Sequence, residues 1–317
     1  MDTVCAVVVT YNRKKLLLEC LEALRKQTRP VQGIYLIDNA STDGTPKLLL
    51  EKGYIKELSP QNLTKPWEKE FKIKNLTDGE IIKLHYVRMH ENTGGAGGFY
   101  EGVKGAYEKG YDWLWLMDDD AEPEEDCLYV LYKNHLKKNF SVLCPLIIMK
   151  DGRIQFYHHK RFNKFLCSEF YPLKDCKIAD LSNLPKIIKL DANAFVGPLI
   201  HKKVVQDIGF PKKELFIWGD DTEYTLRISQ KFDIYLILNA FILHKDGGYF
   251  FTKTKICKNQ YWKVYHAKKN IIYICKRYCS SFSLIYQIFR TIFSFIKNFD
   301  KELYFLKIKG IIDGFKL

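Results

Sequence analysis

YDWLWLMDDDAEPEE, residues 111 to 125, sets an apolar run of strand length directly against three adjacent carboxylates, Asp118, Asp119 and Asp120. Neighbouring carboxylates repel one another, so a positive partner is expected among them. Open α/β sheets bind ligands at the carboxy ends of their strands, and a divalent cation is the simplest mediator there. Taken alone, the stretch also fits a solvated acidic turn with Pro123 opening the next helix. The rest of the chain has to decide.

Upstream, VCAVVV (4 to 9) is a continuous apolar, β-branched run, and the segment after it has helical spacing at Leu17, Cys20, Leu21 and Leu24. GIYLIDNAS reads as a second strand ending in Asp38, and Asp43-Gly44 turns into another helix near 45 to 52. Strand alternating with helix predicts a parallel sheet covered on both faces, an α/β fold. The polar clusters VTYNR and IDNAS then lie on one edge of it. Residues 54 to 80 read as an irregular excursion, after which IIKLHYVRM is a third strand and ENTGGAGGF a glycine-rich turn into a helix. Gly94, Gly95, Gly97 and Gly98 do not match a dinucleotide fingerprint, because Tyr100 stands where its third glycine would fall. Glycines there let a helix N-terminus approach a ligand, or let the helix pack tightly on the sheet.

Downstream, CPLIIM (144 to 149) reads as a further strand, and DANAFVGPLIH (191 to 201) as a strand or buried turn. FIWGDDTEYTLRI places Asp220, Asp221 and Glu223 at the head of a helix. One acid there is explained by the helix dipole, three are not. YLILNAFILHKDGG is a strand ending in His244 before a glycine turn.

The chain has 317 residues, 47% hydrophobic and 15% aromatic, which excludes general disorder. Its net charge of +13 is uneven: residues 256 to 317 hold twelve Lys or Arg against Asp300, Glu302 and Asp313, a local +9. In this last region Phe282, Ile285, Tyr286, Phe289, Ile292, Phe293, Ile296 and Phe299 recur at helical spacing, with Ser283, Gln287, Ser294, Arg290 and Lys297 opposite. Such a helix either packs on the domain, pairs copies in a homo-oligomer, or lies in an anionic membrane interface. Its charges flank an oily face rather than a stacking groove, so no nucleic-acid role is expected. The nine cysteines show no CxxC pair, which predicts reduced, mostly buried thiols. The amino terminus has the wrong order for a signal peptide.

VTYNR, IDNAS, ENTGGAGGF, LMDDDAEP, WGDDTEYTLR and HKDGG, in that order over about residues 3 to 275, resemble the family 2 glycosyltransferases with the GT-A fold. The likeness is greatest to the bacterial galactofuranosyl- and rhamnosyltransferase branch. YHAKKNIIY is similar to a segment that often follows the catalytic domain in such enzymes, with Lys269 where arginine is usual. The resemblance implies a GT-A domain over 1–255, with a nucleotide-sugar half at 1–120 and an acceptor half at 121–255, and a basic helical region at 256–317. It implies a nucleotide-diphosphate sugar donor, UDP-galactofuranose ahead of dTDP-rhamnose, and Mn2+ or Mg2+. Thr10, Arg13, Asp38, Asn92 and Asp118 would contact the donor. Asp118, Asp119, Asp120 and His244 would hold the metal. Asp221 would be the catalytic base, with Asp220 second, and Trp218 and Glu223 would meet the acceptor, a lipid-linked glycan of surface polysaccharide synthesis. Such an enzyme works on the cytoplasmic face of the membrane.

The chemistry has its own need for two separated acidic clusters. One neutralises a diphosphate leaving group through a cation, and the other takes a proton from the attacking hydroxyl. A glycoside hydrolase also uses two carboxylates but no metal or nucleotide pocket. A nucleotidyltransferase would bring a glycine-rich phosphate loop after the first strand, and VTYNRKK has no glycine. A non-catalytic sugar-nucleotide scaffold of an assembly complex could dispense with the second cluster, which this chain keeps.

Overall fold

The computed structural model describes residues 2–245, 257–298 and 300–317. The two apolar runs at 4 to 9 and 113 to 117 become neighbouring central strands. In chain order, β1 (Val4–Thr10), α1 (Lys14–Arg25), β2 (Gly33–Asp38), α2 (Thr45–Glu51), β3 (Trp67–Lys74), β4 (Ile81–Arg88), α3 (Gly94–Glu108) and β5 (Trp113–Asp118) form the first half. Next come β6 (Ala121–Pro123), α4 (Cys127–Lys138), β7 (Val142–Ile148), β8 (His159–Asn163), β9 (Ser168–Phe170), β10 (Ile187–Leu190), β11 (Ala192–Asn193) and β12 (Leu199–His201). The chain then passes through α5 (Lys202–Ile208), α6 (Asp220–Ile228) and β13 (Ile234–His244) to three final helices, α7 (Tyr261–Tyr278), α8 (Ser281–Asn298) and α9 (Lys301–Lys316).

Ten strands make one sheet in the order β10-β13-β7-β12-β5-β1-β2-β4-β3, with β6 attached to β13. β5, β1, β2 and β4 run parallel, as do β7 and β13. β12 enters antiparallel between β5 and β7, while β3 and β10 close the edges antiparallel. Both faces are covered, which explains the unbroken apolar runs. Val4, Ala6 and Val8 of β1 meet Leu17, Leu21, Trp113 and Trp115 on one face, and Cys5, Val7 and Val9 meet Phe99, Val103, Leu114 and Leu116 on the other. A smaller three-stranded sheet, β11-β8-β9, stands beside the main one.

Two expectations change. The excursion at 54 to 80 contains β3, whose Phe71 and Ile73 point inward between exposed Glu and Lys residues. It is an edge strand guarded by charge, and that composition hides its period of two. Cys167 and Cys279 form a disulfide with Cα atoms 5.6 Å apart, joining the turn before β9 to the end of α7, while Cys5, Cys20, Cys127, Cys144, Cys176 and Cys275 are free thiols. Their separation of 112 residues left no spacing signal. The glycine turn at Gly247 and Gly248 and the aromatic Phe299 lie outside the described residues.

The glycines of α3 divide into two groups. A Cβ on Gly98 would lie 2.5 Å from Val9 Cγ1, and one on Gly102 2.4 Å from Val7 Cγ1, so these two let the helix sit against β1. A Cβ on Gly95 would meet only Asp220 Oδ2, at 3.8 Å. In Gly102→Ala, overpacking of about 1–3 kcal/mol outweighs a helix-propensity gain of about 1 kcal/mol. Urea denaturation should therefore show a net loss for Gly102→Ala and none for Gly95→Ala.

Candidate active site

Register places the acidic triplet. Val9 of β1 is opposite Asp118 of β5, so Thr10 and the three aspartates emerge at one sheet edge. Thr10 Oγ1 donates to Asp119 Oδ2 at 2.6 Å, and Arg13 Nη1 donates to Asp120 Oδ2 at 2.6 Å while standing 3.6 Å from Asp119 Oδ1. His244 at the end of β13 is opposite Ala121 of β6, which sets its imidazole beside the triplet. One ligand atom each from Asp118, Asp120 and His244 come within 4.8 Å of one another.

Burial dominates the electrostatics. It lifts Asp118 well above the usual carboxylate range, with the charges of Asp120 and Asp119 adding to the effect. Asp119 is pushed up to about 7, again chiefly by burial, against the Thr10 hydrogen bond. Asp120 suffers the same burial, yet His244 and Arg13 hold it below the ordinary range. The triplet is thus short of positive charge.

Gln155 settles the state of His244. Its Oε1 is 2.8 Å from His244 Nδ1 and 3.0 Å from His158 Nε2, and its Nε2 faces the His244 carbonyl at 3.5 Å. An amide oxygen only accepts, so His244 carries its hydrogen on Nδ1 and turns Nε2 to the triplet. Nε2 lies 3.1 Å from Asp120 Oδ1, which has no hydrogen-bond partner among the described residues. A proton or a metal ion must reconcile the two. Two carboxylates and an oriented imidazole suit a divalent cation of the Mn2+ type, and they are the residues that would hold it.

Asp38 is fully buried at the end of β2. Its Oδ2 accepts from Tyr86 Oη at 2.9 Å and Arg88 Nη1 at 2.6 Å, and its Oδ1 from the Ser41 amide at 2.9 Å. It organises the rim of the cleft through these partners. Asn92 Oδ1 accepts from Asn39 Nδ2 at 3.0 Å and from the Gly94 amide at 2.9 Å, which fixes the start of α3.

The second cluster arrives on a strained loop. Phe216, Trp218 and Gly219 have φ of 66°, 61° and 96°, a conformation that for the two aromatic residues needs external support. α7 provides it: Asn270 Nδ2 donates to the carbonyls of Leu215, Ile217 and Trp218 at 3.0, 2.9 and 2.8 Å, and Lys269 Nζ to that of Glu214 at 2.6 Å. The Phe216 carbonyl accepts from the Ala96 amide at 3.0 Å, which presses the loop onto the glycine-rich start of α3. Asp220 is pushed up to about 8 by burial and then by Asp221. Its charge also acts on Asp118, and its Oδ2 lies 3.8 Å from where a Cβ on Gly95 would stand at the start of α3. Asp221 is half-exposed and accepts from the Thr222 amide at 2.5 Å. Lys160 donates to Thr222 Oγ1 at 2.7 Å and Glu169 Oε1 at 3.0 Å, and is kept charged by Glu169 and Asp221 against its burial.

Trp218 is half-buried with Lys263 Nζ 5.7 Å from its ring centre. Glu223 is different. It is fully buried, paired with Arg227 Nε at 3.1 Å and bonded to the Tyr278 hydroxyl, so it ties α6 to α7 and does not reach the cleft. Two positions on from Asp221, it lies on another side of the helix. Gln155 and Lys160 escaped the sequence reading because each acts through a fold contact rather than a motif, and the YHAKKNIIY segment that contains Asn270 gave no sign of the loop that residue holds.

The model of the family "Glycosyl transferase family 2" matches residues 5–65 and 69–194. The chain belongs to glycosyl transferase family 2. Among its curated relatives in this family, the galactofuranosyltransferase GlfT1 of Mycolicibacterium smegmatis is 29% identical over 231 residues, 72% of this chain and 65% of that protein. GlfT1 of Mycobacterium tuberculosis is 27% identical over 249 residues, 78% of this chain and 71% of that protein. The chain thus spans about two thirds of the length of the relatives it matches. Among solved structures, GalNAc-T7 with UDP, GalNAc and Mn2+ has a TM-score of 0.58 at 16% identity, covering 87% of this chain and 48% of its own. Staphylococcus aureus TarS residues 1–349 with UDP-GlcNAc also scores 0.58 at 16%, covering 99% and 81%. These neighbours establish the GT-A fold for this family 2 chain.

Two outcomes are expected. Gln155→Leu should weaken Mn2+ binding in calorimetry by about 10–100-fold while Gln155→Glu, which keeps the acceptor, restores it. The Asp220 carboxyl titrates higher in the folded than in the unfolded chain, so its contribution to stability is full in acid and is lost as pH rises towards about 8. In urea denaturation across pH 5 to 9, wild type should therefore lose stability relative to Asp220→Asn as pH rises.

Proposed function

We propose that this family 2 chain is a metal-dependent, inverting galactofuranosyltransferase that moves galactofuranose from UDP-galactofuranose to a hydroxyl of a lipid-linked glycan. The observation that carries this reading is the grouping of Asp118, Asp120 and His244 within 4.8 Å of one another, with a second, separate acidic pair, Asp220 and Asp221, at the head of α6. The choice of sugar draws on the relatives named galactofuranosyltransferase. With such an acceptor, the reaction would take place at the inner face of the cytoplasmic membrane.

A bound Mn2+ or Mg2+ supplies Lewis-acid neutralisation of the departing diphosphate. Asp118 and Asp120 would provide its oxygen ligands, and Gln155 holds the His244 ring so that Nε2 would be the third. Arg13, already bonded to Asp120, stands where a phosphate would arrive. Asp221 takes the proton from the acceptor hydroxyl as that oxygen attacks the anomeric carbon. The new C–O bond forms on the face opposite the breaking bond to UDP, hence inversion. Asp220, held protonated near neutral pH by burial, is poorly suited to that task and leaves it to Asp221. Lys160 stands behind Asp221 as its counter-charge. Trp218, on the same loop, offers an aromatic face to the acceptor sugar.

Purified protein with Mn2+ should release nucleotide from UDP-galactofuranose in preference to other nucleotide sugars when a galactan acceptor is supplied. Asp221→Asn should keep UDP binding and lose transfer by about 10²–10⁴-fold. Full transfer by that variant would remove Asp221 from the base position. Asp120→Ala should abolish the Mn2+-dependent part of UDP binding in calorimetry, and unchanged binding would place the cation elsewhere.

A further inference from the structure

Helix α8 is built inside out. An ordinary surface helix buries its apolar stripe and shows its polar side to water. In α8 the polar residues Ser283, Gln287 and Thr291 are 0%, 4% and 2% exposed, while Phe289 and Phe293 are 66% and 69% exposed. Phe282, Ile285, Tyr286 and Ile292 share that outer side and are exposed as well.

The inversion is specified by bonds. Lys268 of α7 reaches Gln287 Oε1 at 3.4 Å, and Lys307 of α9 reaches Ser294 Oγ at 3.0 Å, so the inner stripe meets the polar sides of its two neighbours. Thr291 and Ser294 bond back to carbonyls of their own helix, and Ser283 to that of Ser280 just before it. Rolling the helix over would break the two lysine contacts. The outer face also continues beyond α8: Phe165, in the turn between β8 and β9, stacks on Phe282 with ring centres 5.2 Å apart and is itself exposed.

We propose that this outer face of α8, extended by Phe165, docks on an anionic membrane surface, with the helix lying flat in the interface. A contiguous set of large apolar side chains left open to water on a folded chain marks an interaction surface. Charge selects the occupant. The region from 256 onward carries a net +9, and Arg290 is exposed on the helix itself, 5.7 Å from the Tyr286 ring. A second copy docking face to face would set equal positive charges against each other, whereas anionic headgroups attract them. Among the described residues no helix is long and apolar enough to cross a membrane, which leaves an in-plane helix. Its 18 residues give about 27 Å of contact length. This surface goes beyond the proposed transfer reaction and does not depend on it.

The test is flotation of the full chain with vesicles of phosphatidylcholine containing phosphatidylglycerol, beside vesicles of phosphatidylcholine alone. Wild type should float with the anionic vesicles, and Phe289→Glu/Phe293→Glu should bind them roughly tenfold or more weakly. These side chains are exposed, so the variant should keep the thermal melting of wild type. In a separate variant, Ile285→Trp, the indole emission should shift to the blue on adding anionic vesicles. Equal flotation of the double variant and wild type, or an Ile285→Trp emission that does not move, would overturn the proposal. So would a vesicle-free dimer in light scattering that Phe289→Glu/Phe293→Glu dissolves, since that assigns the face to a second copy.

Discussion

Three carboxylates packed at the end of a buried strand cannot all keep their charge without help, and the surrounding structure supplies that help from two sides. Thr10 ends β1 and Arg13 follows it at the start of α1, while His244 comes from the end of β13. Strand register delivers Thr10 and His244, so the sheet order itself is tied to the charge balance of the triplet. The remaining deficit, expressed in Asp118 and Asp119 holding their protons too tightly, is what makes the place suited to a cation.

Much of this was legible in the chain because strands buried on both faces read as unbroken apolar runs, and β1, β2, β5 and β13 are of that kind. Their polar ends mark the cleft for the same reason. What escaped has a common cause. β3 alternates charge with Phe71 and Ile73, and the small sheet around β8 is largely polar, so neither carries a strong hydrophobic signal. Gln155, Lys160 and Asn270 are defined by partners 52 to 89 residues away, which no local pattern encodes. Glu223 shows the converse error: its proximity to Asp221 in sequence implied the cleft, but a helix turns a residue two positions on to another side.

The C-terminal helices show how far amphipathic periodicity can go. The spacing of Phe282, Ile285, Phe289 and Phe293 identifies a helix and a face, yet it is silent about which side turns inward. That sign is set by Lys268 and Lys307 on neighbouring helices, which seek Gln287 and Ser294. Close approach of α9 to α7 adds to the arrangement, since a Cβ on Gly310 or Gly314 would fall 2.7 or 2.5 Å from a backbone oxygen of α7.

The amide of Asn270 gives the change of character after residue 255 a different meaning. Composition draws a boundary there, but one side chain grips three carbonyls of the loop that carries Trp218 towards Asp221. The helical tail is therefore a splint for that loop rather than an appendage to the sheet domain. Anything that pulls on α7, whether a force at the far end of the tail or a replacement of its anchor, is delivered to this loop before it is felt by the sheet.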